Sequence, residues 1–182
     1  MNYASVRKMD ISNGPGIGVS LFVQGCARAH AGNPCPGCFN SSTWDPQNGK
    51  RFTAKTQERI LELMEPDYIT RFSLLGGEPL DDANIFQLAV LCSKIKVKYP
   101  DKKIWVWTGF TFEQLLDKWL IEYGQISSIM DILLSHIDYL VDGPFIESQK
   151  DLTCRFKGSR NQRVLDCKES LKAGKAVLSE YN

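Results

Sequence analysis

Gly18-Val19-Ser20-Leu21-Phe22-Val23-Gln24-Gly25-Cys26, continuing through Ala27-Arg28-Ala29-His30-Ala31-Gly32-Asn33-Pro34 to Cys35-Pro36-Gly37-Cys38-Phe39-Asn40, is the stretch on which the fold turns. Residues Gly18 to Gln24 are rich in Val, Leu and Phe and read as a buried strand. The cysteines then fall in the loop at that strand's carboxyl end, where open α/β sheets bind ligands. Half of the chain's six cysteines crowd into this loop. Thiols gathered in this way point to a metal.

Two metal chemistries are compatible with the spacing. Cys26, Cys35 and Cys38 can ligate three irons of a [4Fe-4S] cube and leave the fourth iron open to another ligand. Zinc prefers four closed ligands, and His30 completes such a set as Cys26-x3-His30-x4-Cys35-x2-Cys38. A disulfide fits less well, because no secretion signal opens the sequence and intracellular thiols stay reduced. Spacing alone leaves cluster and zinc both open.

A second motif lies at Phe72-Ser73-Leu74-Leu75-Gly76-Gly77-Glu78-Pro79-Leu80, a short apolar strand ending in two glycines and a carboxylate. Glycines let a ligand approach the backbone, and a carboxylate receives a cationic group. A tight turn after a strand explains the motif equally well on its own. Placed one strand after a three-cysteine loop, it resembles the radical S-adenosylmethionine enzymes, whose second strand carries Gly-Gly-Glu or Gly-Gly-Asp. Further segments are Asn13-Gly14-Pro15-Gly16, Cys35-Pro36-Gly37-Cys38-Phe39-Asn40-Ser41-Ser42-Thr43-Trp44, Lys103-Ile104-Trp105-Val106-Trp107-Thr108-Gly109-Phe110, and Val141-Asp142-Gly143-Pro144-Phe145 with Phe156 to Arg163. Their order, from about residue 3 to 166, resembles one branch of that superfamily, the activating proteins of anaerobic (class III) ribonucleotide reductases.

The resemblance implies a [4Fe-4S] cluster on Cys26, Cys35 and Cys38 with one open iron. It also implies S-adenosylmethionine as the second cofactor. Gly76, Gly77 and Glu78 are expected to secure its amino group, and the backbone at Gly37, Cys38 and Phe39 to line its adenine. Reduction then yields methionine and a 5′-deoxyadenosyl radical, which takes hydrogen from a glycine of the partner. No catalytic side chain is expected beyond the cluster and S-adenosylmethionine. The implied partners are the large subunit of the anaerobic reductase, presenting its glycine loop, and an external one-electron donor. Asn13 to Gly16 and Phe156 to Arg163 are candidate surfaces around that loop. The alternatives are an activator of another glycyl radical enzyme, of the pyruvate formate-lyase type, and a zinc-bound interaction module using His30.

Two departures from the family pattern stand out. The usual Cys-x3-Cys-x2-Cys is here Cys-x8-Cys-x2-Cys, and His30 takes the middle cysteine's place when counted forward from Cys26. The intact Cys-Pro-Gly-Cys-Phe-Asn block favours Cys35, and lengthening a flexible loop costs only about 0.6 kcal/mol per doubling. His30 is then solvated or peripheral. The second departure is Gly18, where relatives commonly carry arginine.

Composition agrees with a single domain over residues 1–182. A chain of 182 residues buries a real core, and a net charge of +1 offers no footprint for nucleic acid or an acidic membrane. No apolar stretch reaches the roughly 18 to 20 residues that span a bilayer, so the expected location is the cytoplasm.

Strand and helix patterns alternate. Helices are expected over Thr53–Met64, with Thr53 as N-cap, and near Asp82–Lys98, Thr111–Ile121 and Ile126–Leu134. Strands are expected at Arg71–Leu75, Lys103–Thr108 and Ile137–Val141. Four or five strands with right-handed crossovers imply an α/β fold, an open partial (β/α) barrel of the radical SAM type with a mainly parallel sheet. Residues 146–182 read as a C-terminal segment that covers the sheet or meets the partner, irregular to about 165, with a terminal helix or added strand over Ser170–Tyr181. Cys92 falls on the apolar face of a helix and reads as core. Cys154 and Cys167 lack the spacing of a second metal site.

Overall fold

The structure is a computed structural model and describes residues 1–123 and 129–182. The chain opens with strands β1 (Asn2–Asp10) and β2 (Ile17–Val23), a short helix α1 (Ala27–His30) and the two-residue strand β3 (Lys50–Arg51). There follow α2 (Ala54–Leu63), β4 (Ile69–Gly76), α3 (Asp82–Lys98), β5 (Lys103–Trp107), α4 (Phe112–Tyr123) and α5 (Ile129–His136). Strand β6 (Tyr139–Asp142), strand β7 (Arg163–Asp166) and helix α6 (Cys167–Ala173) complete the described elements.

The strands form one open seven-stranded sheet in the order β3-β1-β2-β4-β5-β6-β7. Strands β2, β4, β5 and β6 run parallel at its centre. β1 and β3 on one side and β7 on the other are joined antiparallel. The central strands are buried on both faces, mostly by apolar side chains, with the polar Ser20, Arg71 and Ser73 sharing one face of β2 and β4.

Strand β2 is buried throughout from Gly18 to Val23 and aligns with β4 from Gly18↔Arg71 to Val23↔Gly76. That register brings the ends of both strands, and therefore the cysteine loop and the Gly-Gly-Glu turn, to the same edge.

Successive residues of a strand face opposite ways. Ile104 and Val106 of β5 join the larger core with Leu88, Leu91, Ile60, Leu133 and Phe112 from the helices. Trp105 turns the other way into an aromatic cluster with Trp107, Tyr139, Phe156 and Tyr181, stacking on Tyr139 with ring centroids 4.5 Å apart. Each fully buried Leu or Phe of these clusters contributes about 1.5–3 kcal/mol.

Local chemistry sets the helix starts. Thr53 accepts the Thr56 N–H while the Thr56 hydroxyl accepts the Thr53 N–H, a capping box that starts α2. Asp81 accepts the Ala83 N–H at the start of α3. Asp142, at the end of β6, accepts the Phe112 N–H at the start of α4 and is ion-paired with Arg163.

The structure corrects several expectations. Seven strands replace four or five. β1 was missed because Arg7, Lys8 and Asp10 interrupt its apolar pattern, and pairing with β2 supplies what its side chains do not. β7 lies within the stretch read as irregular. Its pairs with β6, Leu140↔Leu165 and Val141↔Val164, bury only two apolar residues on that strand, too few to show in the sequence. The last helix starts at Cys167, with Asp166 as its cap, and the chain then returns to the sheet at the bridge Leu165↔Leu178. The helix expected over Ile126–Leu134 is found as α5, three residues later, and Ile126–Ser128 lie outside the described residues.

Candidate metal centre

Gly76 and Gly77 carry the cysteine loop on their backbone. Gly76 has φ +115°, a conformation open to glycine, and a Cβ there would lie 2.6 Å from the Val23 carbonyl oxygen. At Gly77 a Cβ would lie 2.0 Å from the carbonyl oxygen of Gly25 and 2.9 Å from that of Thr43. The Gly77 N–H donates to Val23 at 3.0 Å and the Glu78 N–H to Gly25 at 2.6 Å. The turn after β4 is thereby stitched to the residues that lead into Cys26. The room left by the missing Gly77 side chain is filled by protein backbone, where the sequence suggested the approach of a ligand.

Cys26, Cys35 and Cys38 are free, partly buried thiols. All three line one cavity of about 420 Å³, shared with Phe39, Gly76, Gly77 and Glu78. Burial pushes the Cys26 thiol up, as do the Glu78 carboxylate and Cys35, against the N–H groups of Ala29 and Arg28. His30 is exposed on α1, and its backbone N–H donates to the Cys26 carbonyl at 3.1 Å. Among the described residues, no three His, Cys, Asp or Glu side chains form a set able to hold a metal ion. The site thus differs from a preformed single-ion cage.

Glu78 is 1% exposed, and its carboxylate is already engaged. Leu80 N–H donates to Oε1 at 2.9 Å, the Thr108 hydroxyl to Oε1 at 2.8 Å and Gly109 N–H to Oε2 at 2.7 Å. Burial dominates and pushes the group up to about 7, against the lowering effect of these donors. The carboxylate therefore locks the end of β4 to the end of β5 while forming part of the cavity wall.

Gly37 has φ +69°, and a Cβ on it would meet the Glu147 carboxylate at 2.8 Å. The wall also includes Asn40, Trp107 and Thr108. Trp107 donates its indole N–H to the Phe156 carbonyl at 2.8 Å, while Trp105 is wholly buried away from the cavity. Asp142, at the end of β6, is taken up by the Phe112 N–H and by its ion pair with Arg163.

The segment after β6 closes another side of the cavity with Phe145, Leu152, Phe156, Gly158 and Gln162. Gln162 donates to the Gly143 carbonyl at 2.9 Å and accepts the Gly158 N–H at 2.8 Å, and Asn161 donates to the Pro144 carbonyl. Sequence reasoning placed this segment over the sheet or against a partner but did not foresee its place in the cavity wall. It also missed Arg28, whose only signal was a cation inside the lengthened cysteine loop.

Cys92 and Cys167 are fully buried, and burial pushes both thiols up to about 12. Cys154 is partly buried, and all six cysteines are free.

Comparisons with known proteins agree with this chemistry. A family model described as "4Fe-4S single cluster domain" matches residues 12–165. The anaerobic ribonucleoside-triphosphate reductase-activating protein of Vibrio cholerae is 38% identical over 166 residues, covering 90% of this chain and 97% of that protein. The proteins of the same name from Escherichia coli (strain K12) and Enterobacteria phage T4 are 37% and 34% identical, again over 90% of this chain, and 97% and 93% of their own lengths are covered. No solved structure matches the chain.

Proposed function

The chain belongs to the family of anaerobic ribonucleoside-triphosphate reductase-activating proteins, and on that premise we propose that it activates such a reductase with a [4Fe-4S] cluster and S-adenosylmethionine. Cys26, Cys35 and Cys38 are the ligands in this reading. Together the bound cofactors supply one-electron cleavage of a carbon-sulfur bond, giving methionine and a 5′-deoxyadenosyl radical that takes hydrogen from a glycine of the reductase. The supporting observation is that the three thiols share one cavity wall with Gly76, Gly77 and Glu78.

The protein's own part is to bind, orient and exclude side reactions. Cys26, Cys35 and Cys38 are the residues that would hold the cluster, as thiolates. The backbone of Gly76 and Gly77, with Glu78 behind it, receives the ligand's amino group at the end of β4. Gly37, Cys38 and Phe39 border its adenine. The aromatic and apolar side chains of Phe39, Trp107, Leu152 and Phe156 restrict water at the wall. His30 is left outside the ligand set. No general base is assigned, since the hydrogen moves as an atom to the ligand's carbon.

In this reading the open sheet is a partial (β/α) barrel of the radical SAM type, residues 1–182 act as one domain, and 146–182 cover the cavity and contact the reductase. An external one-electron donor reduces the cluster. The protein acts in the cytoplasm, without nucleic acid or membrane. No helix of the described residues is long and apolar enough to cross a membrane.

The test is anaerobic reconstitution with iron and sulfide, reduction by dithionite with S-adenosylmethionine, and assay of 5′-deoxyadenosine. Product is expected from wild type and His30→Ala and none from Cys35→Ala. Dependence on His30, with an active Cys35→Ala protein, would overturn the ligand assignment. A colourless, zinc-loaded, inactive wild type would overturn the enzyme reading.

A further inference from the structure

Three cations border the cavity: Arg7, Arg28 and Lys157. Arg7 lies 4.4 Å over the Phe22 ring centroid, and Lys157 donates to Asn182 at 3.3 Å. Arg28 differs. Its Nε is buried without a hydrogen-bond partner, and its guanidinium has no ion pair among the described residues.

The position of this side chain is defined by Gly109. A Cβ on Gly109 would lie 3.0 Å from Arg28 Cδ, 4.0 Å from Arg28 Nε and 3.4 Å from Glu78 Oε2. The arginine stem thus passes over a glycine beyond the end of β5, close to the Glu78 carboxylate. Glu78 is not its counter-ion: its carboxylate accepts from Leu80, Thr108 and Gly109, and no ion pair joins it to Arg28 among the described residues. A buried N–H without a partner costs free energy, and Arg28 is one of the residues that line the cavity, where a ligand acceptor can meet its guanidinium.

The chemistry of the missing group follows from the donor. A guanidinium presents a planar fork that matches a carboxylate in two parallel hydrogen bonds, and it keeps its charge at any working pH. We propose that Arg28 binds the carboxylate of the methionine end of S-adenosylmethionine. The assignment rests on the cofactor reading above and deepens it. Amino and carboxylate groups of the ligand are then divided between two walls, the Gly-Gly turn of β4 and the cysteine loop.

The test is equilibrium binding under anaerobic conditions to the full-length, cluster-loaded protein. Wild type, Arg28→Lys and Arg28→Gln are each titrated with S-adenosylmethionine and with its decarboxylated analogue. Arg28→Gln is expected to weaken S-adenosylmethionine roughly 10- to 100-fold, the worth of a charge-assisted pair, and to leave the analogue within about 2-fold of wild type. Arg28→Lys falls between, since a lysine keeps the charge and loses the fork. Unchanged cluster absorption across the three proteins excludes a folding defect. Equal weakening of both ligands, or none of either, would overturn the assignment. Failure of wild type to bind S-adenosylmethionine at all would remove the cofactor reading and this assignment with it.

Discussion

Arg71 occupies the space that a side chain at Gly18 would need. The two residues are partners across β2 and β4, and a Cβ on Gly18 would lie 2.5 Å from both Cγ and Nη1 of Arg71. The Arg71 guanidinium is 1% exposed. It donates to the carbonyls of Pro15 at 2.9 Å and Asp10 at 2.7 Å and to the Ser73 hydroxyl at 2.7 Å, with Asp10 Oδ1 at 3.5 Å. Ser73 in turn donates to the Asn13 carbonyl. The Asn13-Gly14-Pro15-Gly16 loop is thus held from beneath by an arginine of β4.

That relationship predicts coupling between the two sites. Gly18→Ala should destabilise the protein by about 1–3 kcal/mol through overpacking. Arg71→Ala should cost about 3–5 kcal/mol by leaving Asp10 buried without its partner. The exchange Gly18→Arg with Arg71→Gly should recover at least about 1 kcal/mol relative to the sum of its single changes. Urea unfolding of the cofactor-free proteins measures all of these, and strict additivity would refute the exchange.

Gly77→Ala addresses the seam between the Gly-Gly turn and the cysteine loop. Its new Cβ would meet the Gly25 carbonyl at 2.0 Å, and the obstructing atom is backbone, which cannot rotate aside. The expected result is an unfolding free energy lower by about 3 kcal/mol or more, together with reduced iron and sulfide after reconstitution. Gly32, where nothing lies within 4 Å of a Cβ but φ is +72°, provides the comparison: Gly32→Ala should cost only about 1 kcal/mol and retain the cluster.

Glu78 makes stability depend on pH in a definite direction. Its carboxyl is held near 7 in the folded protein, above its ordinary value of 4.5, so folding favours the protonated form. That contribution is fully present below pH 4.5, declines as pH rises toward 7 and is gone above it. The change is on the order of 3 kcal/mol over this window. The stability difference between wild type and Glu78→Gln, both without cofactor, should therefore shift in favour of the glutamine variant as pH rises from 4.5 to 7. A difference independent of pH would show that the carboxylate is not desolvated.

The thiols should separate chemically. With iodoacetamide at pH 8, Cys35, Cys38 and Cys154 of the cofactor-free protein are expected to be alkylated readily and Cys26 more slowly, because burial raises its thiol. Cys92 and Cys167, pushed up to about 12, should resist until unfolding. After cluster loading only Cys154 should remain reactive. Peptide mass spectrometry reads each site, and protection of Cys154 in place of Cys35 would contradict the ligand set.

What the sequence revealed follows from how strongly each feature is encoded locally. Helix α3 was legible near its true bounds, since Ile85, Leu88, Ala89 and Cys92 recur on one face. The apolar strands β2, β4 and β5 were legible from composition. β1 and β7 were not, because charged residues interrupt the apolar pattern of the first and only two apolar residues are buried on the second, and antiparallel pairing with β2 and β6 makes them strands. In the site, Cys26, Cys35 and Cys38 were legible because spacing is a local property. The docking of Gly77 onto Gly25, the passage of Arg28 over Gly109 and the filling of Gly18 by Arg71 join residues 52 to 81 positions apart. Only the β2–β4–β5 register brings these together.

The most direct measurement is electron paramagnetic resonance on the anaerobic reductase after incubation with this protein, S-adenosylmethionine and a one-electron donor. A glycyl-radical doublet on the reductase is predicted with wild type and with His30→Ala, and none with Cys35→Ala. No radical with wild type carrying its full complement of iron and sulfide, or a radical undiminished in Cys35→Ala, would contradict the account.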